Sequence, residues 1–335
     1  MAKLNLVTGA TGFIGSHVVQ QLLEKGEKVR VLVRTPAKLA DVGIDANHEN
    51  LEVARGDLLD PATIGPALDG VDAIYHIAGF ISTAPQDRKR VYELNFDITK
   101  NLFEACEKAD VKKIVYLASI FALAGGEKTP ATEESPYNLE SLNVDYTKAK
   151  RQAELYAYDK AKAGMPLVFV YPCFCYGPGD VYNSSSRLVL AYIRKELPAY
   201  IPGGQNVMDV RDAAGGLILG MEKGKVGEHY IVGGKNLSYE EFFGELQQLT
   251  GMAPPKVKLP LFVGRWAGKL LEKTMKNTPL DEQAALMMGR YWYYDDARAR
   301  RELGYSSRPL EETLRDSITW FCENKKARWP KDFQR

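Results

Sequence analysis

Cysteine is scarce: four residues in a chain of 335, two of them in Cys173-Phe-Cys175. So few thiols exclude a disulfide framework for a fold of this size. Histidine is equally rare at four. No Cys/His spacing makes a zinc element, so no metal site is expected. Long apolar runs are missing too, with nothing near the ~18–20 residues a membrane span requires. Neither sign of charge dominates: 44 Lys and Arg against 43 Asp and Glu give +1. The bulk balance therefore asks for neither nucleic acid nor stable membrane insertion. The opening "MAKLNLVTG" has no basic leader or cleavage site and runs straight into a strand. A cytoplasmic, reduced location is the expectation. Repeats and low-complexity linkers are also lacking. What remains is ordinary for a globular protein: 45% hydrophobic and 26% charged residues, with length for more than one domain.

The first half alternates short β-branched runs with helical ones. Predicted strands are 4–7, 29–33, 51–54, 73–77, 113–117 and 167–171. Between them "GSHVVQQLLEKG", "DPATIGPALDG", "RVYELNFDITKNLFEACEKAD" and "YTKAKRQAELYAYDKAKAG" carry apolar residues at helical spacing. This alternation predicts an α/β fold, a Rossmann-type doubly wound parallel sheet covered on both faces. After Pro172 the pattern loosens into "YGPGDVYNSSSR", a helix near 188–196, a helix over "VMDVRDAAGGLILGMEKG" and a short strand in "HYIVGG". "SYEEFFGELQQLTG" has capping-box spacing, and the remainder reads as helical. The expected division is a cofactor-binding domain at 1–172, to which 208–235 returns. Residues 173–207 and 236–335 would form a smaller, mainly helical substrate domain.

Gly9-x-x-Gly12-x-x-Gly15 follows a predicted strand and opens a predicted helix, the context that gives a glycine triplet meaning. Gly9 suits a tight turn, Gly12 close approach to a pyrophosphate, and Gly15 helix packing. The helix N-terminus draws the anion. At the end of the second strand, NAD binders carry a carboxylate for the ribose 2′-hydroxyl. Here Val33 and Arg34 stand there, with Lys38 behind, which suits a 2′-phosphate and hence NADP(H). Asp57, before Leu58, is either an acceptor for the adenine amino group or a turn cap.

Tyr146 and Lys150 in "YTKAK" share one helix face. A free tyrosine titrates near ~10, so acid/base work at neutral pH requires about 4 kcal/mol of differential stabilisation. A nearby ammonium and an oxidised nicotinamide both act in that direction. Ser119 ends the fifth strand, at the sheet edge where open α/β folds bind ligands. His76 reads as a satisfied strand histidine lining the cleft, and His17 as packing in the first helix.

These features together resemble the extended branch of the short-chain dehydrogenase/reductase superfamily. The likeness runs over nearly the whole chain: "TGATGFIG", "GDL", "HIAG" at 76–79, "YELN" at 92–95, "YTKAK" and "YGPGD" at 176–180, and, more faintly, "MDVRDAAGG" and "DDARARRELGY". It implies Tyr146 as general acid/base, Ser119 polarising a carbonyl, and Lys150 holding the nicotinamide ribose while lowering the Tyr146 pKa. Asn95 would be a structural or relay residue. Thr11, Gly12, Phe13 and Ile14 would offer amides to the pyrophosphate. Ala78 and Gly79 would line the cofactor cleft, and Pro172 and Cys173 would face the nicotinamide. Relatives are often dimers through a four-helix interface, which the helices after Asn95 and Tyr146 could supply.

Within that branch, dehydratases carry Asp-Glu after the serine position, whereas Ile120-Phe121 follow Ser119. Nucleotide-sugar epimerases place an arginine where this chain has Gln205, leaving Arg187 or Arg211 as substitutes. "VRVLVR", "LPAYIPGGQNVMDVRDAA" and "GEHYIVGGKNLSY" are similar instead to dihydroflavonol-4-reductases, 3β-hydroxysteroid dehydrogenases and bacterial proteins grouped as hopanoid-associated epimerases. That class implies an apolar or aromatic ketone or secondary alcohol, with Phe121, Phe174, Tyr176 and Tyr182 as its wall. The rivals are a nucleotide-sugar or hopanoid-associated sugar epimerase and, from another class, a non-catalytic NADP-binding regulator. Two departures stand out: Ala118 where relatives pair two serines, and Tyr171 where Arg or Asn precedes the proline. The second changes the expected polar contacts of the substrate. Segment 259–277 is amphipathic and reads as a packed helix, a lid or a membrane contact. The basic, aromatic tail reads as a solvated end.

Overall fold

The computed structural model describes residues 3–274 and 281–333. Its centre is a parallel sheet. Strands β1 (Leu4–Thr8), β2 (Lys28–Val33), β3 (Leu51–Arg55), β4 (Ala73–His76), β5 (Lys113–Leu117) and β6 (Leu167–Pro172) lie within about a residue of the predicted runs. Further along come β7 (Phe174–Tyr176), β8 (Ala199–Tyr200), β9 (Gly204–Asp209), β10 (His229–Val232), β11 (Lys235–Ser238), β12 (Val257–Lys258) and β13 (Tyr291–Trp292). Seven strands form one sheet in the order β3-β2-β1-β4-β5-β6-β10, all in parallel register. Every residue of β4 and β6 is buried, as strands covered by helices on both faces must be. Strand order reverses between β1 and β4. Their carboxyl ends therefore open the crevice in which doubly wound sheets bind ligands.

Helices α1 (Phe13–Glu24), α2 (Lys38–Asp41), α3 (Pro61–Ala67), α4 (Arg88–Tyr92), α5 (Ile98–Cys106) and α6 (Asp145–Lys162) connect the strands. Between α4 and α5 the turn over Glu93–Asp97 widens to π geometry.

The region after β6 contains α7 (Arg187–Ile193), α8 (Val210–Lys223), α9 (Tyr239–Thr250), α10 (Leu261–Thr274), α11 (Glu282–Met288), α12 (Ala297–Leu303) and α13 (Leu310–Glu323). It also contains more sheet than the sequence suggests. Strand β9 pairs with β7, β11 and β13. The helix expected from Val207 therefore starts only at Val210. Residues 204–209 are wholly buried between neighbouring strands, and the Asp209 carboxylate accepts from the Arg211 amide at 2.8 Å, marking the helix start. The capping box at α9 is present: Glu241 donates its amide to Ser238 Oγ, and Glu241 Oε2 accepts the Ser238 amide.

Two apolar clusters result. One fills both faces of the seven-stranded sheet. The other gathers Tyr176, Phe242, Phe243, Leu314, Ile318 and Phe321 around α9 and α13. Among the described residues no helix is long and apolar enough to cross a membrane.

Candidate active site

The glycine loop is shaped by contacts that side chains would break. Gly9 has φ +75°, and a Cβ there would lie 2.7 Å from the Ala78 nitrogen. A Cβ on Gly15 would fall 2.1 Å from the Gly9 carbonyl oxygen. The loop thus lets α1 start directly above the ends of β1 and β4. Gly12 is the N-cap, and no side chain caps the first turn or places an acid in it. The amides of Phe13, Ile14 and Gly15 therefore lack side-chain acceptors, while Thr11 is half-buried in the preceding turn. Such an end fits the pyrophosphate of a dinucleotide.

Arg34 follows β2 and is exposed, its guanidinium 4.0 Å from the Asp57 carboxylate. Lys38, at the start of α2, is also exposed. Asp57 accepts the Leu59 amide at 3.0 Å, so one of its oxygens closes a local turn, and Leu58 beside it is buried. Ala78 and Gly79 follow β4; Thr8 Oγ1 accepts the Ala78 amide at 3.3 Å. His76 lies between Thr8 Oγ1 at 2.9 Å and Thr99 Oγ1 at 3.0 Å, fully buried. Burial holds it down to about 3, so it is a neutral structural residue. His17 does more than pack: its Nε2 is 2.9 Å from the Pro178 carbonyl, tying α1 to the loop after β7.

Ser119, two residues beyond β5, lies beside the start of α6. Ser119, Tyr146 and Lys150 are all buried, at 7%, 4% and 6% exposure. Burial pushes the Tyr146 hydroxyl up to about 12, and its hydrogen bond with Ser119 acts the other way. The lowering expected from Lys150 acting with an oxidised nicotinamide belongs to the cofactor-bound state; in the chain by itself burial dominates. Lys150 is brought down to about 8 by burial, opposed by the charge of Glu154. At neutral pH Tyr146 thus keeps its proton, and Lys150 remains an ammonium. This pair is set to donate.

Asn95 sits in the π turn with its side chain fully used. Its Nδ2 donates to the Phe80 and Val91 carbonyls, both at 2.8 Å, and its Oδ1 accepts the Phe80 amide at 3.2 Å. It holds the strand-end loop in place beside Lys150: a Cβ on Gly79 would stand 3.2 Å from Asn95 Oδ1 and 3.4 Å from Lys150 Nζ. The start of α6 is secured from far along the chain. Gln283 Oε1 accepts the Asp145 amide at 2.8 Å, and its Nε2 donates to the Asp145 carboxylate at 3.1 Å.

The aromatic residues assigned to a substrate wall separate. Phe121 packs edge-on to Tyr146 and to Phe174, each at 5.7 Å between ring centres. Tyr176 does not join them. It is 1% exposed in the second core, against Phe242, and its hydroxyl accepts from Gln205 at 2.6 Å. Tyr182 projects from its loop at 53% exposure. Trp292, also 1% exposed, packs behind Phe121: its ring is 4.8 Å away and its indole donates to the Met287 carbonyl. Tyr294 bonds the Ile120 carbonyl at 3.2 Å. Both belong to "YWYY" at 291–294, an aromatic run whose composition could have flagged it.

Pro172 and Cys173 end β6, and the Cys173 amide donates to Val232 at 3.0 Å. Burial raises both neighbouring thiols, so neither Cys173 nor Cys175 is a thiolate. Tyr171 also departs from expectation. Its hydroxyl donates to Glu154 and bonds His229 Nδ1, inside a buried cluster one turn beyond Lys150 on the same face of α6. Burial pushes Glu154 up to about 7, and its Oε2 has no partner. Arg211 is held by Asp209 and Asp316, at 2.8 and 2.6 Å. Among the described residues no cluster of potential ligands could hold a metal ion.

A glycine loop at the switch point of this sheet, with Ser, Tyr and Lys converging at its carboxyl edge, defines an extended short-chain dehydrogenase/reductase. The chain belongs to the NAD dependent epimerase/dehydratase family, whose model matches residues 5–233. It is 31% identical to a candidate dihydroflavonol 4-reductase of Synechocystis sp., covering 96% of this chain and 95% of that protein. A 3-beta-hydroxysteroid dehydrogenase of Mycolicibacterium neoaurum is 29% identical, over 95% and 91% of the two chains. The crystal structure of gox2253 superposes with a TM-score of 0.84 at 32% identity, covering 97% of this chain and all of that one. The protein is thus an oxidoreductase of this superfamily, built for a pyridine nucleotide.

Proposed function

We propose that the protein is an NADP(H)-dependent carbonyl reductase/alcohol dehydrogenase acting on an apolar or aromatic ketone or secondary alcohol. The observation that carries this reading is the buried Tyr146, proton retained, between Ser119 and the apolar ring of Phe121, with Phe174 and Trp292 packed against that ring. When bound, the nicotinamide supplies or accepts the hydride at the substrate carbon. Ser119 donates to the carbonyl oxygen and orients it. Tyr146 delivers its proton to that oxygen, and the Lys150 ammonium stabilises the phenolate left behind. In the oxidative direction Tyr146 takes the proton back.

Arg34 and Lys38 supply two cations, and no carboxylate follows β2 directly, which favours a 2′-phosphate. The nearby Asp57 would then pair with Arg34 rather than meet the phosphate. The names of the reductase and steroid dehydrogenase relatives support a ketone or secondary alcohol as substrate. A nucleotide-sugar epimerase would need a cation for the substrate's diphosphate. Gln205 is buried against Tyr176 and Arg211 is consumed by two carboxylates, so only Arg187 of the three positions remains. Leu155 and Tyr158, exposed on α6, fit a homodimer through that helix. The test is NADPH oxidation against a panel of aromatic and aliphatic ketones. Turnover that disappears in Tyr146→Phe supports the reading. Silence across the panel, with NAD retained through purification, would favour the epimerase. Unchanged cellular function in Tyr146→Phe would favour a binding regulator.

A further inference from the structure

Helix α10 is amphipathic the wrong way round. Its small residues face inward: a Cβ on Gly264 would lie 2.4 Å from the Ile201 side chain, and one on Gly268 2.6 Å from the Asp281 backbone. Its bulky residues face out. Phe262 and Trp266 are each 74% exposed, and Leu270 is 53% exposed. At 3.6 residues per turn these three form a ridge one turn apart, with Lys269 and Lys273 in the same outward sector. Val257, 53% exposed on the adjoining strand β12, extends the apolar surface. An ordinary surface helix buries its large apolar residues and shows its charges. This one shows both together.

The charge around the ridge selects its occupant. Residues 256–274 carry Lys256, Lys258, Arg265, Lys269 and Lys273 against a single acid, Glu272, in a chain whose net charge is +1. Lys258 and Arg265 are paired with Glu240 and Glu282. Lys256, Lys269 and Lys273 form no salt bridge among the described residues. A second copy of the chain related by a twofold axis would press these cations against their own counterparts. An anionic lipid surface offers the opposite sign, an apolar layer for Phe262 and Leu270, and an interfacial depth suited to Trp266. The ridge also adjoins the cleft. α10 packs on α11, which bonds the first residue of α6 through Gln283; Asp281, just before α11, accepts from Thr83 Oγ1 at 2.7 Å.

We infer that α10 docks the enzyme reversibly on an anionic membrane surface through Phe262, Trp266 and Leu270, with Lys269 and Lys273 on the headgroups, so that an apolar substrate can pass from the lipid to the cleft. The delivery part rests on the proposed oxidoreductase function; the docking does not. Of segment 259–277, residues 275–277 lie outside the described residues.

Flotation of the full chain with vesicles tests this without any substrate. Binding to phosphatidylcholine/phosphatidylserine vesicles should exceed binding to phosphatidylcholine alone by about tenfold and weaken with salt. The triple variant F262S/W266S/L270S should lose about tenfold or more of that binding. Lys269→Glu with Lys273→Glu should remove the preference for phosphatidylserine while leaving the apolar ridge intact, so it decides the matter even if the triple variant fails to fold. No binding to either vesicle, or full binding by both variants, overturns the inference. So does a wild-type dimer that becomes monomeric in the triple variant, which would assign the ridge to self-association. Vesicle binding without ketone turnover would sink the proposed function and leave the docking standing. Turnover without vesicle binding would do the reverse.

Discussion

The sheet edge and the aromatic cluster packed beside it are built on opposite plans. At the edge, the working groups come from short contiguous stretches and are fixed by backbone: the Gly9–Gly15 loop, Ser119 after β5, Tyr146 and Lys150 one turn apart. Beside them, the aromatic cluster joins Phe121, two residues after Ser119, to Phe174 and Trp292 from far along the chain, and only packing holds the three together. On the first side the glycine loop cannot take side chains without displacing backbone, and the Ser, Tyr and Lys positions are fixed by the elements that carry them. The other can change residue by residue at a moderate cost in packing. Under the proposed function, reaction type is tied to the first region and substrate choice to the second.

The sharpest way to break that division is Tyr146→Phe. Turnover should fall by about 10²–10⁴-fold while the dissociation constant for NADPH, read by fluorescence titration, hardly moves. A comparable loss of cofactor affinity would mean that the hydroxyl organises the cleft rather than serving as the acid. Next in size is Arg34→Ala, which should weaken NADPH about ten- to a hundredfold and NADH little. Equal losses would remove Arg34 from the cofactor site. In the aromatic cluster, Phe174→Ala should raise KM for bulky aromatic ketones about tenfold, with a smaller effect on kcat and on small ketones. A uniform drop in kcat would show that the two regions are not separable. The smallest effect is in pH. Because Lys150 is held down to about 8, it is charged below that value and neutral above it. The rate of ketone reduction should be level through neutral pH and decline above about 8, and Lys150→Arg should push that decline upward.

The same division governs what could be read from sequence. The six strands, the glycine loop and the Ser/Tyr/Lys set were legible because each is local: buried parallel strands are continuous apolar runs, and helix-face pairs are separated by a fixed count. Strand β9 was not. Its residues "GQNVMD" run directly into a helical pattern, and only partners at 174–176, 235–238 and 291–292 make them a strand. The surroundings of Tyr176 and Tyr171 were hidden for a related reason. Their neighbours in sequence are site residues, yet their rings turn to Phe242 on one side and Glu154 on the other. The aromatic run at 291–294 marks Trp292 as a buried residue, but only the fold shows that it packs against Phe121. The upward push of burial on the Tyr146 hydroxyl was not legible either, since it comes from residues distant along the chain.

One contact joins the two plans. The opening turn of α6 has no cap from its own N-cap residue, Val144; its first amide is satisfied by Gln283, 138 residues downstream. The chain thus reaches back from its most adaptable layer to finish the helix on which its least adaptable residue stands. A change in length or tilt around 281–288 would arrive one residue from Tyr146. Any substitution that moves Gln283 is therefore felt at the helix start that carries the tyrosine.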